Sequence, residues 1–147
     1  MSRFLLDTNV VSELRKRDRA DGHVREWLSE NVDGEFWLSA LVAAELRRGV
    51  ELIDRRDPAA GATLREWLES TMTDYADRIL PVTVAIGQRW AVLSVPDPLP
   101  VIDGLLAATA LEHDLTLATR NVSDVERTGV TLANPFAPRS DTARPST

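Results

Sequence analysis

Residues 3–14 have the sequence RFLLDTNVVSEL, in which a short apolar run stops abruptly at Asp7, Thr8 and Asn9. A short apolar run bounded by turn-forming or capping residues is typical of a buried strand. The side chain of Thr8 or Asn9 can then cap a helix that continues to Leu14. The stretch therefore predicts a strand that leads directly into a helix, with a carboxylate at the junction.

The same alternation of strand and helix patterns continues along the chain. Further apolar runs predict strands at residues 35–38, 79–82, 115–119 and 130–132. The helical spacing of apolar residues predicts further helices at residues 23–32, 40–56, 58–72, 84–95 and 104–113, with a charged loop at 15–22. Strands that alternate with helices favour an α/β fold, in which a mainly parallel five-stranded sheet is covered on both faces.

The composition excludes several classes of protein and site. The chain has 147 residues, 17 Lys and Arg against 23 Asp and Glu, a net charge of −6 and no cysteine. This length predicts one domain, and the lack of cysteine excludes disulfides, thiolate metal sites and cysteine nucleophiles. No apolar run approaches the roughly 20 residues of a membrane span, so we expect a soluble, cytoplasmic protein. The acidic balance argues at first against a nucleic-acid partner, because such proteins are usually basic.

Polar residues gather at one edge of the predicted sheet. Ligands of a parallel sheet bind beyond the carboxyl ends of its strands, and the polar residues expected there are Asp7, Glu45, Asp103, Thr119, Asn121 and Asp124. All of them offer oxygen ligands, and no histidine or cysteine joins them. Clusters of oxygen ligands select hard cations, so the edge predicts a site for Mg²⁺ or Mn²⁺.

Each of the three main acids also has a purely structural interpretation. Asp103 could cap its helix, Asp7 could form a turn at the strand end, and Glu45 could pair with Arg48 or Arg89. Together, however, the carboxylates would repel one another, by roughly 3 kcal/mol for a pair about 5 Å apart at an effective dielectric of 20. A divalent cation relieves that repulsion, which favours the metal-site interpretation of the group.

Four segments resemble PIN-domain ribonucleases. They have the sequences LLDTNVVSE at 5–13, SALVAAELRRGV at 39–50, DGLLAATA at 103–110 and LATRNVSD at 117–124, and NPF at 134–136 fits as well. The chain looks like the VapC toxins of type II toxin–antitoxin systems, especially the branch that includes the FitB proteins. The resemblance covers residues 3 to 136, with the motifs in order and at the spacing of the family.

The resemblance implies a PIN-like three-layer α/β/α sandwich at residues 1–136. The residues at 137–147 are mostly Pro, Ser, Thr, Asp and Arg, a composition that predicts a flexible C-terminal tail. It also implies an endoribonuclease, that is, a hydrolase that cleaves RNA phosphodiester bonds with Mg²⁺, for which Mn²⁺ can substitute. The implied partners are RNA, a second copy of the chain in a homodimer, and a small VapB-type antitoxin protein that neutralises the toxin.

The resemblance also assigns roles to residues at the acidic edge. Asp7 and Asp103 match the principal metal-binding aspartates of the family, and Glu45 matches its acidic residue on the third helix. In the implied mechanism these residues are catalytic: the ion polarises the scissile phosphate, and a water oriented by Glu45 attacks in line.

One position departs from the pattern of the family. The fourth acidic position falls on Asn121, where some relatives have Asp, and an amide adds no negative charge. Asp124 is a candidate to replace it through a bridging water. Asn9 and Thr119 are expected to orient the ligands or a water from behind.

The sequence has two alternative interpretations besides a nuclease. The chain could be a catalytically degenerate PIN domain that acts as a protein or RNA interaction module, with Asn121 as the sign of decay. A phosphotransferase of the HAD type also has an aspartate after its first strand, but it needs a second aspartate where Asn9 stands. It also needs a later lysine, whereas Lys16 is the only lysine in the chain. Three intact acids favour the nuclease.

Overall fold

Five short strands form one parallel sheet in the computed structural model, which describes residues 2–138. The strands are β1 (Arg3–Leu6), β2 (Glu35–Ser39), β3 (Ile79–Leu80), β4 (Thr116–Ala118) and β5 (Leu132–Ala133). Their order in the sheet is β3-β2-β1-β4-β5, and every neighbouring pair is parallel. The prediction of a mainly parallel five-stranded sheet is confirmed.

The central strand is β1, the apolar run with which the sequence begins. Leu5 lies beside Trp37 of β2 on one side and Leu117 of β4 on the other. Leu5 and Leu6 are fully buried, because helices cover both faces of a parallel sheet and leave no face of its central strand for polar side chains. Asp7 therefore stands at the middle of the carboxyl edge, where a ligand of such a sheet would bind.

Seven helices connect and cover the strands, in the three-layer arrangement that the resemblance implies. They are α1 (Thr8–Leu14), α2 (Gly22–Glu30), α3 (Ala40–Arg56), α4 (Pro58–Asp74), α5 (Val84–Leu93), α6 (Val101–His113) and α7 (Val122–Val125). Residues 106–110 of α6 are all buried, which fits the central place that its apolar sequence predicts. None of the helices in residues 2–138 has the length and apolar character needed to cross a membrane.

Two helix starts differ from the sequence-based expectation. Asp7 caps α1 through its own side chain, which accepts a hydrogen bond from the backbone N–H of Thr8. Neither Thr8 nor Asn9 is the cap, because both already lie inside the helix. The cap of α6 is Pro100, so Asp103 lies in the first turn and is not the capping residue. The carboxylate of Asp103 is therefore not used up as a helix cap.

Two smaller differences lie in the connections. The predicted loop at 15–22 contains a short 3₁₀ helix, Arg17–Arg19. The fifth strand begins at Leu132 and not at residue 130, because Leu132 is the residue that pairs with Leu117 of β4. The predicted tail at 137–147 falls outside the described residues from position 139 onward.

The helices α3 and α4 approach each other most closely at a glycine. A Cβ atom on Gly61 of α4 would lie 2.6 Å from the Cα atom of Asp54 in α3, closer than non-bonded carbon atoms can come. Next to this contact, the guanidinium of Arg65 pairs with Glu51 at 3.2 Å and with Asp54 at 3.8 Å. The spacing of α3, which carries Glu45, thus depends on the absence of a side chain at Gly61.

We expect Gly61→Ala to destabilise the protein by about 1–3 kcal/mol, because the new methyl group must push α3 and α4 apart. The midpoint of urea denaturation measures the change. The matched control is Gly87→Ala in α5, where a Cβ atom would meet nothing within 4 Å. There the better helix propensity of alanine should raise stability by about 0.5–1 kcal/mol. Stabilisation by both substitutions would contradict the close approach at Gly61.

Candidate active site

The carboxylate of Asp7 is buried and held by three donors at the end of β1. Its Oδ1 atom accepts the backbone N–H of Thr8 at 2.6 Å, and its Oδ2 atom accepts the hydroxyl of Thr119 at 2.7 Å and the amide of Asn9 at 3.4 Å. The residue is only 4% exposed. A carboxylate with several donors keeps its charge in a buried place, so Asp7 supplies a fixed negative charge at the centre of the edge.

Thr8 joins Asp7 to the second acid of the site. Its backbone N–H donates to Asp7, and its hydroxyl donates to Oε1 of Glu45 at 2.7 Å. Glu45 is half-buried and lines a cavity of about 200 Å³ between α1, α3 and α4. The threonine between two acids thus holds Glu45 of α3 against the start of α1.

Asp103 is the residue on which the acidic charges act together. Burial raises its pKa above the ordinary value, and the neighbouring charges of Asp7, Asp124 and Glu45 raise it further. A hydrogen bond from the side chain of Asn121 lowers the pKa and so opposes these effects. The fold therefore brings Asp7, Asp124 and Glu45 within electrostatic reach of Asp103, with Asn121 beside it.

Two further predicted site residues, Thr119 after β4 and Asn9 in α1, lie close to Asp7. Thr119 is 1% exposed; its hydroxyl donates to Asp7 and accepts the backbone N–H of Asn121 at 3.0 Å. Asn9 uses its amide group toward Asp7 and its carbonyl oxygen toward the backbone N–H of Arg120 at 3.3 Å. Both residues therefore tie the segment after β4 to Asp7, the orienting position that the sequence predicts for them.

The structural interpretations of the acids find little support. Arg89 pairs with Glu112 at 3.1 Å, and within residues 2–138 no arginine forms an ion pair with Glu45. Asp103 does not cap its helix. Asp7 does have a structural role, because it caps α1. Its Oδ2 atom, however, accepts the hydroxyl of Thr119 and faces the site.

The donor set fits a hard cation, although the carboxylates do not form a preformed cage. Carboxylate, amide and hydroxyl oxygens are the ligands that Mg²⁺ and Mn²⁺ prefer. In the described part of the chain, no three acidic or histidine side chains already have the arrangement of a complete metal site. Both oxygens of Asp7 and the Oε1 atom of Glu45 instead accept hydrogen bonds from Thr8, Asn9 and Thr119.

Sequence reasoning missed the role of Thr8. It treated the residue as a candidate helix cap, whereas the structure makes it the link between Asp7 and Glu45. The available signal was its position directly after an aspartate at a strand end, where the first residue of a helix faces the edge of the sheet. Its partner Glu45 is 37 residues away, so the contact itself could not be read from the sequence.

Known proteins are similar in sequence to nearly the whole of this chain. A family model described as "PIN domain" matches residues 4–129. The toxin FitB of Neisseria gonorrhoeae is 34% identical over 139 residues, which are 90% of this chain and 98% of FitB. The protein named VapC ribonuclease Y4jK of Sinorhizobium fredii is 32% identical over 143 residues, with 92% of this chain and 99% of that protein covered.

A solved structure agrees with these relatives. The crystal structure of FitAcB from Neisseria gonorrhoeae contains a chain that is 34% identical and superposes with a TM-score of 0.78, covering 90% of this chain and 98% of its own. Sequence and fold thus agree along the same residues. The chain belongs to the PIN-domain family.

Proposed function

We propose that this chain is the toxin of a type II toxin–antitoxin system and acts as a metal-dependent endoribonuclease. Its relatives carry the names toxin and VapC ribonuclease, and its fold is theirs. We further propose Mg²⁺ as the ion, with Mn²⁺ as a substitute, and RNA as the substrate. In this proposal the catalytic residues are Asp7, Glu45, Asp103 and Asn121.

The observation that carries the proposal is the electrostatic convergence on Asp103. The carboxylates of Asp7, Asp124 and Glu45 all act on it from three separate elements of the chain. A fold gains no stability from bringing like charges together. Their convergence at the carboxyl edge is instead what a site for a divalent cation requires, because the ion relieves the repulsion.

Asp7 and Asp103 are the residues that would hold the ion, since Asp7 is fixed and Asp103 carries the uncompensated charge. The bound cation supplies Lewis-acid chemistry, which neutralises phosphate charge and makes water more acidic. Asn121 keeps the carboxylate of Asp103 in place through its side chain. Asp124, which is exposed, adds charge at the outer side of the same site.

Glu45 has the position to orient the attacking water. One of its oxygens is held by the hydroxyl of Thr8, which fixes the carboxylate and leaves Oε2 to accept a hydrogen bond from water. Thr119 and Asn9 hold Asp7 in turn, so that neither acid must reorganise when the substrate binds. Rigid placement of this kind accounts for a large part of enzymatic rate enhancement.

The proposed partners follow from the relatives. The solved structure that resembles this chain is described as FitAcB, a name that joins FitB with a second component. We propose that a VapB-type antitoxin binds this chain in the same way, and that two copies of the chain form a homodimer. An RNA substrate would place the protein in the cytoplasm.

Asp7→Asn and Asp103→Asn should each lower the rate of RNA cleavage by at least about 100-fold. Loss of a residue that only hydrogen-bonds to a metal ligand already lowers metal affinity or activity by about 10–100-fold. Loss of a ligand itself should cost at least as much. The matched control is Asp114→Asn at the far end of α6, where the backbone is left-handed with φ of 57°, a conformation that asparagine adopts readily. The measurement is the initial rate on cellular RNA in Mg²⁺ and in Mn²⁺.

Two outcomes of this experiment would contradict the proposal. Equal rates for the wild type and the Asp7 and Asp103 variants would show that the acids are not catalytic. A wild-type protein that is folded but inactive in both metals would favour the interaction module. An effect of the Asp114 control as large as that of Asp103→Asn would point to loss of folding as the cause.

Without metal, Asp103→Asn should stabilise the protein. Because the pKa of Asp103 is raised in the folded state, its ionised form costs stability at neutral pH, and this cost disappears as the pH falls through the raised pKa. The melting temperature of the variant in EDTA should therefore exceed that of the wild type at pH 7, with a smaller difference near the ordinary value of 3.8.

Added metal should reverse this order. Mg²⁺ or Mn²⁺ should raise the melting temperature of the wild type by binding the folded state, and should have little effect on Asp103→Asn. Asp114→Asn serves again as the control and should respond to metal like the wild type. If metal raised the melting temperature of Asp103→Asn as much as that of the wild type, Asp103 would be excluded as a ligand.

A further inference from the structure

Arg120 is fixed at the edge of the site by the residues on both sides of it. The preceding Thr119 donates to Asp7, and the following Asn121 donates its backbone N–H to the hydroxyl of Thr119. The backbone N–H of Arg120 itself donates to the carbonyl oxygen of Asn9 at 3.3 Å. The position of its Cα atom relative to Asp7 is therefore set by the same hydrogen bonds that orient Asp7.

The side chain of Arg120 is held as well. Its guanidinium carbon lies 3.8 Å from the centroid of the Phe136 ring, a close cation–π contact. Phe136 packs against the hydrophobic core, and its backbone N–H donates to the side chain of Asn134 at 3.0 Å. An anchored ring therefore supports the guanidinium.

Arg120 has no acidic partner in the part of the chain that the structure describes. Other described arginines, including Arg47, Arg65 and Arg89, do form ion pairs with acids. Arg120 is exposed, so the N–H groups at the edge of its guanidinium face solvent. An ordered cation without a carboxylate partner, beside a cluster of acids, is available for an anion that comes from outside.

We propose that Arg120, supported by Phe136, binds a backbone phosphate of the RNA that flanks the scissile one. The inference rests on the proposed ribonuclease function and adds a substrate-binding residue to it. Phe136 follows β5, two strands away from β1, so its ring supports the guanidinium to one side of Asp7 along the carboxyl edge. The reacting phosphate must lie at the acids, so an arginine set to one side of them would meet a phosphate that flanks it.

Physical chemistry favours this use of the arginine. A chain with a net charge of −6 that brings acids together at its site repels a polyanion, so productive binding needs local positive charge. The planar guanidinium forms two parallel hydrogen bonds to a phosphate. Because the ring already orders the side chain, little conformational entropy remains to be lost when RNA binds.

Arg120→Ala should raise KM for RNA about tenfold and leave kcat nearly unchanged, since a contact to a flanking phosphate acts equally in the ground state and the transition state. The slope of log KM against log salt should fall by about 0.7, the value for one phosphate contact on a single strand. Arg120→Lys should give a smaller increase, because it keeps the charge but loses the planar stacking. The substrate is a short, fluorescein-labelled RNA pool of random sequence.

Arg89→Ala is the matched control. It removes the same charge from an arginine that pairs with Glu112, near the end of α6 opposite Asp103. Phe136→Leu tests the support: it keeps the guanidinium but removes the aromatic face, and we expect KM to rise by about threefold. Melting temperatures of all variants separate an effect on binding from an effect on folding.

The outcomes distinguish this inference from the proposed function. Binding of the same RNA pool is also measured by fluorescence anisotropy with Asp7→Asn and with the double variant that adds Arg120→Ala. An equal affinity of the two proteins for RNA, or a change in KM no larger than that of Arg89→Ala, would overturn the role of Arg120. A loss of kcat at constant KM would overturn it too. A wild type that cleaves no RNA would contradict the nuclease function, while the binding experiment still decides on Arg120.

Discussion

The site depends on one buried interaction, the hydrogen bond from the hydroxyl of Thr119 to the carboxylate of Asp7. These residues follow two neighbouring parallel strands, β1 and β4, at the point where both strands end. The bond joins the ends of the two strands at the carboxyl edge. It also gives the buried carboxylate a hydrogen-bond donor, which offsets the free-energy cost of burying it. Asp7 also caps α1. One side chain therefore links the end of β1, the start of α1 and the acidic site.

The other parts of the site are attached to this centre. Thr8 connects it to Glu45 of α3, and Asn9 connects it to the backbone of Arg120. Asp103 approaches from the start of α6 without a hydrogen bond to Asp7 and interacts with it through charge alone. The contrast supports the proposed roles: Asp7 is held by hydrogen bonds, whereas the charge of Asp103 is opposed by its acidic neighbours and would be relieved by an ion.

The sequence predicts those parts of the fold and site that depend on local pattern. The apolar run that ends at Asp7 predicts a buried strand, and the alternation of elements predicts a parallel sheet whose carboxyl edge collects the acids. The helix start after Pro100 was missed because an aspartate is a common cap, and only the backbone shows that Asp103 lies within the first turn. The contacts Thr8–Glu45 and Arg120–Phe136 join distant segments, so no local pattern could reveal them.

An acidic chain can still be built to receive RNA. The net charge of −6 is an average over the surface, whereas binding depends on where the charges lie and which of them are already paired. At the carboxyl edge the acids are gathered where a bound cation would invert their effect. Beside them Arg120, which has no acidic partner among residues 2–138, packs on an aromatic ring. Composition alone argues against a nucleic-acid partner, but the positions of these few side chains argue for one.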